Sequence, residues 1–321
     1  MGLLHAAISN AISGGRVIAI CEQDRLLASM GRRIIPNVKF FDTLESMIAE
    51  ARPEVIFVTT PTHTHLPVIE RLVKGYGNPA IFCEKPLGAS FADAKRAVDV
   101  TRQMITMVGF QKRYSPMLRL AKELIDKQAI GEILFFKASI RVTDVLNNTS
   151  GWRYSRETGG ALRDLGPHLV DILLWFFGKP KSVQSLEGSF FTEGDDYSHA
   201  AMTFPSKIIG TLEVCWSVRN YRLPELSLEI NGRQGTLNVS DDSLDLYSDH
   251  GVKGLVKEGH QTYYKAAISP SVEFLLGDQE YTLEDRQFLD AVVLDKTAHP
   301  DFETASQVNE LIDLIHAKGM E

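Results

Sequence analysis

The sequence predicts an α/β chain: a Rossmann-type doubly wound parallel sheet, then a C-terminal α+β domain with an open, mostly antiparallel mixed sheet. Three observations predict this. Short β-branched apolar runs alternate with amphipathic stretches from Val17 to Phe110, the pattern of strands joined by crossover helices. After Phe110 the pattern changes to a run of strands interrupted by few helices. At 321 residues the chain also exceeds the ~250–300 at which one hydrophobic core stops growing, so two domains are expected, 1–111 and 112–321.

In the first domain, residues 17–21, 55–59, 80–83 and 106–110 read as buried strands, with 38–41 a weaker one. Helical spacing covers 25–33, 44–51, 66–74 and 91–102. Ser90 followed by Asp93 marks an N-cap with an acid at the third helical position. In the second domain a helix spans 116–127, with proline in its first turn and Gly131 beyond its end. Strands are expected at 133–142, 183–191, 199–204, 210–217, 226–230, 236–239 and 244–247. The stretch Asn231-Gly232-Arg233-Gln234-Gly235 is a turn signal between two of them. Helices are expected at 165–177, 283–296 and 303–318.

Composition excludes several function classes. The chain is 44% hydrophobic and 23% charged, with net charge −7 and both signs interspersed, which leaves no basic footprint for nucleic acid or an anionic membrane surface. No apolar run approaches the ~20 residues that span a bilayer, and Met1 opens onto no signal-like segment. The three cysteines, Cys21, Cys83 and Cys215, lie in strand-like runs. They read as free buried thiols in the cytoplasm.

Four motifs carry chemistry. Glu22 follows a strand and lies 20 residues beyond Gly2, where a dinucleotide-binding fold places the acid that receives the ribose hydroxyls. A carboxylate there repels a 2′-phosphate by roughly 4 kcal/mol at ~4 Å and an effective dielectric near 20, so NAD is preferred over NADP. Thr59-Thr60-Pro61-Thr62-His63-Thr64-His65 stands at a strand's C-terminal end, the ligand edge of such sheets. Its His-x-His pair has no further ligand at metal spacing, so no metal is expected. Glu84-Lys85-Pro86 ends another strand, with Glu84 a possible partner of Lys85. Gly159 to Asp171 places Asp164 and His168 four apart at the start of a helix. There the helix N-terminus favours the carboxylate and disfavours imidazolium, leaving a neutral histidine competent as a general base.

Together these motifs resemble the Gfo/Idh/MocA oxidoreductase family over nearly the whole chain. Met1-Gly2-Leu3-Leu4-His5 resembles the end of the family's glycine fingerprint. Cys21-Glu22 resembles its ribose-binding strand end, Thr60-Pro61 through His65 its adenosine-side loop, and Glu84-Lys85-Pro86 its signature triplet. The stretch from Gly109 to Pro116, containing Gln111, Arg113 and Tyr114, resembles its domain crossover. Trp152-Arg153 resembles a cofactor-facing pair, and Gly159 to Asp171 its catalytic helix.

The resemblance implies hydride transfer between a nicotinamide cofactor and a hydroxyl carbon of a sugar, inositol or nucleotide-sugar-like substrate. Lys85 would contact the substrate hydroxyl, His168 would take its proton, and Asp164 would orient both. Cofactor-binding residues would be Gly2, His5, Glu22, Thr60, Pro61, Thr62, His65, Glu84, Lys85, Gln111, Arg113, Trp152 and Arg153. Tyr114 and Arg156 would join Lys85, Asp164 and His168 around the substrate. A homodimer or homotetramer through the C-terminal sheet is implied. Two other readings share these motifs: an NAD-using glycosidase, and a non-catalytic ligand-binding protein that kept the fold.

The family's first strand and first glycines precede the position of Gly2, so Met1 is expected to fall partway through the cofactor-binding fold. Each large side chain on such a central strand is worth ~1.5–3 kcal/mol, which is comparable in sum with a domain's stability of ~5–15 kcal/mol. A chain starting at Met1 is accordingly expected to bind cofactor weakly. The native protein is instead expected to start before Met1, and an intact mass of the native gene's product matching 321 residues would defeat that expectation.

Overall fold

The computed structural model describes residues 1–144 and 151–319. It divides into two compact units, Met1–Gln111 with Val272–Asn309, and Lys112–Ser271 with Glu310–Glu321. The division is therefore not a single cut in the sequence.

The first unit runs α1 (Gly2–Ala11), β1 (Ala19–Cys21), α2 (Arg25–Ile34), β2 (Lys39–Phe41), α3 (Leu44–Ala51), β3 (Val55–Val58), α4 (His65–Tyr76), β4 (Ala80–Glu84), α5 (Phe91–Val100) and β5 (Thr106–Gly109). Every pairing is parallel, in ladders β1–β2 and β3–β4–β5. Side chains start the helices as their sequences demand. Asp24 accepts from the N–H groups of Leu26 and Leu27, Thr43 from Ser46, and Ser90 from Asp93. Strands β4 and β5 are buried on both faces, which explains their unbroken apolar runs.

Two expectations are corrected here. The buried strand over 17–21 contracts to Ala19–Cys21 and is half-exposed throughout, Cys21 included, because among the described residues β1 pairs with β2 alone. Helix α1 was not legible because leucine and alanine surround its buried Ile8, blurring the 3.6-residue period.

The second unit contains α6 (Pro116–Asp126), β6 (Ile133–Arg141), α7 (Ala161–Asp164), α8 (Gly166–Phe177), β7 (Ser182–Gly188), β8 (Tyr197–Thr203), β9 (Ile209–Cys215), β10 (Glu225–Gly232), β11 (Gly235–Ser240), β12 (Ser243–Ser248), β13 (Gly259–Tyr264) and α9 (Lys265–Ile268). Its eight strands form one sheet in the order β13-β12-β11-β10-β6-β9-β8-β7, antiparallel except for β6 beside β9. Alternate residues are buried along each central strand: Phe136, Ala138 and Ile140 on β6, Leu212 and Val214 on β9, Leu228 and Ile230 on β10. Helices α6, α7 and α8 pack on this sheet, and α8 buries Leu169, Val170, Ile172 and Leu173. The residues between the buried ones carry Lys137 opposite Glu229 and Arg141 hydrogen-bonded to Glu213, so the sheet alternates apolar and charged.

Three further differences have local causes. The strand expected over 183–191 ends at Gly188, since the N–H groups of Phe190 and Phe191 turn onto the buried carboxylate of Asp196. The helix expected at 165–177 is preceded by a separate turn, α7, with the break at Leu165. Strand β13 was not expected, because Gly259-His260-Gln261-Thr262-Tyr263-Tyr264 shows no apolar–polar alternation in sequence, although its exposure alternates in the fold.

The chain closes with α10 (Gln279–Val293) and α11 (Phe302–Gly319). Helix α10 packs on α1, and its fully buried Phe288 sits 5.6 Å from the rings of both Phe57 and Phe82. This packing places Val272–Asn309 with the first unit.

Candidate active site

In the first unit the motif residues gather at the C-terminal ends of the parallel strands, where loops leave the sheet and backbone groups are exposed to a ligand. Glu22 follows β1 half-buried, its Oε1 accepting the N–H of Asp24 at 2.9 Å. The loop after β3 exposes Thr60 and Pro61, with Thr62 half-buried. Its shape is held by the Thr64 hydroxyl, which donates to Pro61 O at 2.7 Å and lies 2.8 Å from Thr60 Oγ1. At the start of α1 the bare Cα of Gly2 lies against this loop. A Cβ there would come within 2.8 Å of Thr59 Oγ1. An acid at one strand end, a hydroxyl loop at another and a side-chain-free helix start fit the adenosine and diphosphate parts of a dinucleotide.

His65 and His5 stand behind these loops, a correction to their expected places among the cofactor ligands. Both are 1% exposed. His65 Nε2 meets the Thr60 carbonyl at 2.8 Å and Nδ1 the Pro86 carbonyl at 2.9 Å, so this ring pins two loops together. Burial holds its pKa below the usual value, against carbonyls that favour the charged ring.

The His5 ring lies between two carboxylates. Its Nδ1 is 2.8 Å from Asp285 Oδ1 and its Nε2 is 3.1 Å from Glu84 Oε1. The other Glu84 oxygen accepts the backbone N–H of Lys85 at 3.1 Å. Glu84 is thus more than a charge partner for the Lys85 ammonium. Burial opposes the charge on His5, but the hydrogen bonds to Asp285 and Glu84 outweigh it and raise its pKa to about 9. Burial also works against the Glu84 carboxylate, yet the bond and charge of His5 bring its pKa down. Asp285 is held above its ordinary value by burial.

This arrangement predicts a pH dependence of stability. His5 titrates at 6.5 when exposed and at about 9 in the fold, so between these values the folded state binds more protons than the unfolded state. Stability is fully present below pH 6.5 and falls as pH rises through about 9, by roughly 3 kcal/mol. Urea midpoints measured across this window should decline in the wild type and stay nearly level in His5→Gln. A level wild-type profile would contradict the assignment.

In the second unit the chain turns back on itself at Trp152–Tyr154. Two glycines permit the return. A Cβ on Gly159 would lie 2.0 Å from Arg153 O, and Gly160 has φ +110°, with Asp195 Oδ1 1.9 Å from where its Cβ would stand. Only glycine fits both demands at Gly160. Asp195 then starts α7, its carbonyl accepting from Ala161 and its carboxylate from Leu162. Asp164 ends α7 half-buried, and His168 is buried in the first turn of α8. The guanidinium of Arg153 bridges Asp164 Oδ2 at 2.5 Å and Asp144 Oδ2 at 2.9 Å and lies over the rings of Tyr154 and Trp216.

Other expected residues fall elsewhere. Arg113 binds Asp171 through two hydrogen bonds of 2.7 Å and lies over Trp175, an ion pair within the second unit. Tyr114 is buried beneath the Arg119 guanidinium and is part of the core, not a pocket wall. Gln111 Nε2 is 3.3 Å from the Tyr281 hydroxyl. Trp152 and Arg156 are exposed.

The structure thus groups Gly2, Thr60, Pro61, Glu22, Glu84 and Lys85 at one edge of the first unit, and in the second pairs Arg153 with Asp164 at the end of α7, just before the α8 turn that carries His168. Sequence reasoning missed Asp285, Asp144 and Asp195. Asp285 sits in an ordinary charged helical stretch and carried no signal. Asp171 did carry one, as a lone acid opening the apolar run 172–177.

Comparison with known proteins identifies both halves of the chain. Residues 1–111 match the model of the oxidoreductase family's NAD-binding Rossmann fold, and residues 118–238 match a GFO/IDH/MocA C-terminal domain. An uncharacterised oxidoreductase of Schizosaccharomyces pombe is 27% identical over 158 residues, 48% of this chain and 42% of that protein. The chain therefore spans under half the length of that relative. Levoglucosan dehydrogenase of Pseudarthrobacter phenanthrenivorans is 23% identical over 310 residues, 84% of this chain and 79% of that protein. The solved structure of a levoglucosan dehydrogenase in complex with NADH and levoglucosan superposes with a TM-score of 0.86 at 21% identity, covering 99% of this chain and 93% of the other. With both of its halves matched in order, the chain belongs to the Gfo/Idh/MocA oxidoreductase family.

Proposed function

We propose that this protein is a nicotinamide-dependent dehydrogenase acting on a hydroxyl carbon of a sugar, inositol or nucleotide-sugar-like substrate, with NAD preferred over NADP. The observation that carries the reading is the catalytic-helix geometry: Asp164 held by the charge of Arg153, and His168 set in the first turn of α8. A bound nicotinamide would supply the acceptor for the hydride leaving the hydroxyl-bearing carbon. Lys85 donates a hydrogen bond to the hydroxyl oxygen and stabilises the developing alkoxide. His168 accepts the hydroxyl proton, and Asp164 orients the substrate. Glu22 receives the adenosine ribose hydroxyls, which disfavours a 2′-phosphate. Thr60, Pro61 and Thr62 would hold the adenosine side, and the N–H groups at Gly2 would hold the phosphates.

Self-association through the eight-stranded sheet belongs to the same proposal. Phe135 and Ile209, cross-strand partners on β6 and β9, are both exposed, on the sheet face that further along carries the Arg141–Glu213 pair. Three free cysteines suit a cytoplasmic location. Among the described residues no helix is long and apolar enough to cross a membrane.

The test combines calorimetry with NAD⁺ and NADP⁺ and a panel of sugars, inositols and nucleotide sugars followed by NADH absorbance, using protein from the native gene. The expected result is tighter NAD⁺ than NADP⁺ binding and NADH formation with at least one polyol. Binding without net NADH formation would favour the glycosidase reading, and no binding of either cofactor at millimolar concentration would leave a non-catalytic protein.

A further inference from the structure

We propose that His5 is a positioning residue: anchored by Asp285, it locks the Glu84 carboxylate and through it the backbone from which Lys85 reaches its ligand. The inference rests on the reading of Lys85 as the group that contacts the substrate hydroxyl, and it adds to that reading a device in which α1 and α10 together set where the lysine stands.

The geometry assigns the roles. Ionised carboxylates only accept hydrogen bonds. His5 meets one on each ring nitrogen, Asp285 at 2.8 Å and Glu84 at 3.1 Å, so both bonds are made only when both nitrogens carry protons. The imidazolium then sits between two anions, and the Lys85 ammonium adjoins Glu84. Two cations and two anions leave the group neutral, which suits its burial. Its surroundings are aromatic, with the rings of Phe57, Phe82 and Tyr281 at 5.5, 5.0 and 6.2 Å from the His5 ring. Little water enters such a cage, so hydrogen bonds there are strong and an unpaired partner is costly.

The chain of contacts is directional. Glu84 uses one oxygen for His5 and the other for the Lys85 N–H. It has room for this because its register partner on β5 is Gly109, where a Cβ would lie 3.3 Å from Glu84 Oε2. Without the charge of His5, the Glu84 carboxylate is buried beside Asp285 with its main stabilising partner gone. Glu84 would then take up a proton or rotate away, and the Lys85 backbone would lose its acceptor. Tyr281 does not substitute for the histidine, because its phenol is held neutral by burial among acids. Helix α10 is thereby coupled to the first strand-end lysine by a single ring.

The test reads the placement of Lys85 rather than turnover, so it can fail separately from the catalytic reading. Lysines of the full chain are reductively methylated with ¹³C-formaldehyde, and the Lys85 resonance is identified by its loss in Lys85→Arg. In the wild type this resonance is expected to be shifted from the free-lysine position. In His5→Leu and Asp285→Asn it should collapse towards the free-lysine position while the other lysine resonances stay in place. His5→Gln, which keeps a donor towards Glu84, should restore part of the shift. In ¹⁵N-histidine-labelled wild type, His5 should show two ring N–H protons at pH 7.5. A single ring N–H would overturn the proposal, as would a Lys85 resonance unmoved in Asp285→Asn. If His5→Leu does not fold, the ring spectrum and Asp285→Asn decide alone. Loss of turnover in Lys85→Met with none in Asp285→Asn would also overturn the proposal while leaving the catalytic reading intact. Unchanged turnover in Lys85→Met would instead defeat the catalytic reading.

Discussion

Replacing His168 by asparagine is expected to lower NAD⁺-dependent oxidation of the polyol identified by the substrate panel by about 10²–10⁴-fold, the usual contribution of a positioned general base. Asparagine is shorter and polar, and it has no nitrogen able to take the hydroxyl proton. His168 packs in the first turn of α8 among Leu169, Val170 and Pro167, so the variant should lose modest stability and fold. The loss should fall on kcat, with the NAD⁺ affinity within about threefold of wild type, since the histidine acts on the proton that moves. Asp164→Asn should lose less, because Arg153 also pairs with Asp144 and keeps the turn together. Retained turnover in His168→Asn, measured by NADH absorbance over a range of pH, would remove the histidine from the mechanism.

The second large effect concerns stability. Arg113→Met leaves the Asp171 carboxylate, 1% exposed, without the guanidinium that binds both of its oxygens. Removing one member of such a buried pair costs about 3–5 kcal/mol, because a carboxylate in an apolar setting must stay uncompensated or take up a proton. Burial already holds the Asp171 pKa above its ordinary value, with the Arg113 charge opposing the rise, so loss of the arginine should drive Asp171 neutral. The double variant Arg113→Met with Asp171→Leu should recover most of the loss, since neither charge remains to be desolvated. Urea denaturation of the single and double variants measures both. Equal stability of wild type and Arg113→Met would show that the pair adds nothing.

The strands β4 and β5 were legible because they are buried on both faces and so carry unbroken apolar runs, and β3 because its four residues are all β-branched or aromatic. The helix starts at Ser90 and Pro116 were legible because capping is local chemistry, decided within four residues. The places of Glu22, Lys85, Asp164 and His168 in the fold were legible for a related reason. Each stands at a strand end or beside a helix terminus, and those ends are readable from hydrophobic pattern and glycine spacing.

What sequence alone determined is therefore local: the alternation of strands and helices, the ends at which functional groups stand, and the family those ends share. What only the tertiary structure decided is which distant side chains complete them. Asp285 lies 280 residues from His5, Asp195 starts a helix 33 residues before itself, and Asp171 fixes Arg113 58 residues away. No short-range pattern encodes such partners. A buried charge is satisfied by whichever element the fold brings alongside, and the linear spacing between the two partners has no bearing on the hydrogen bond.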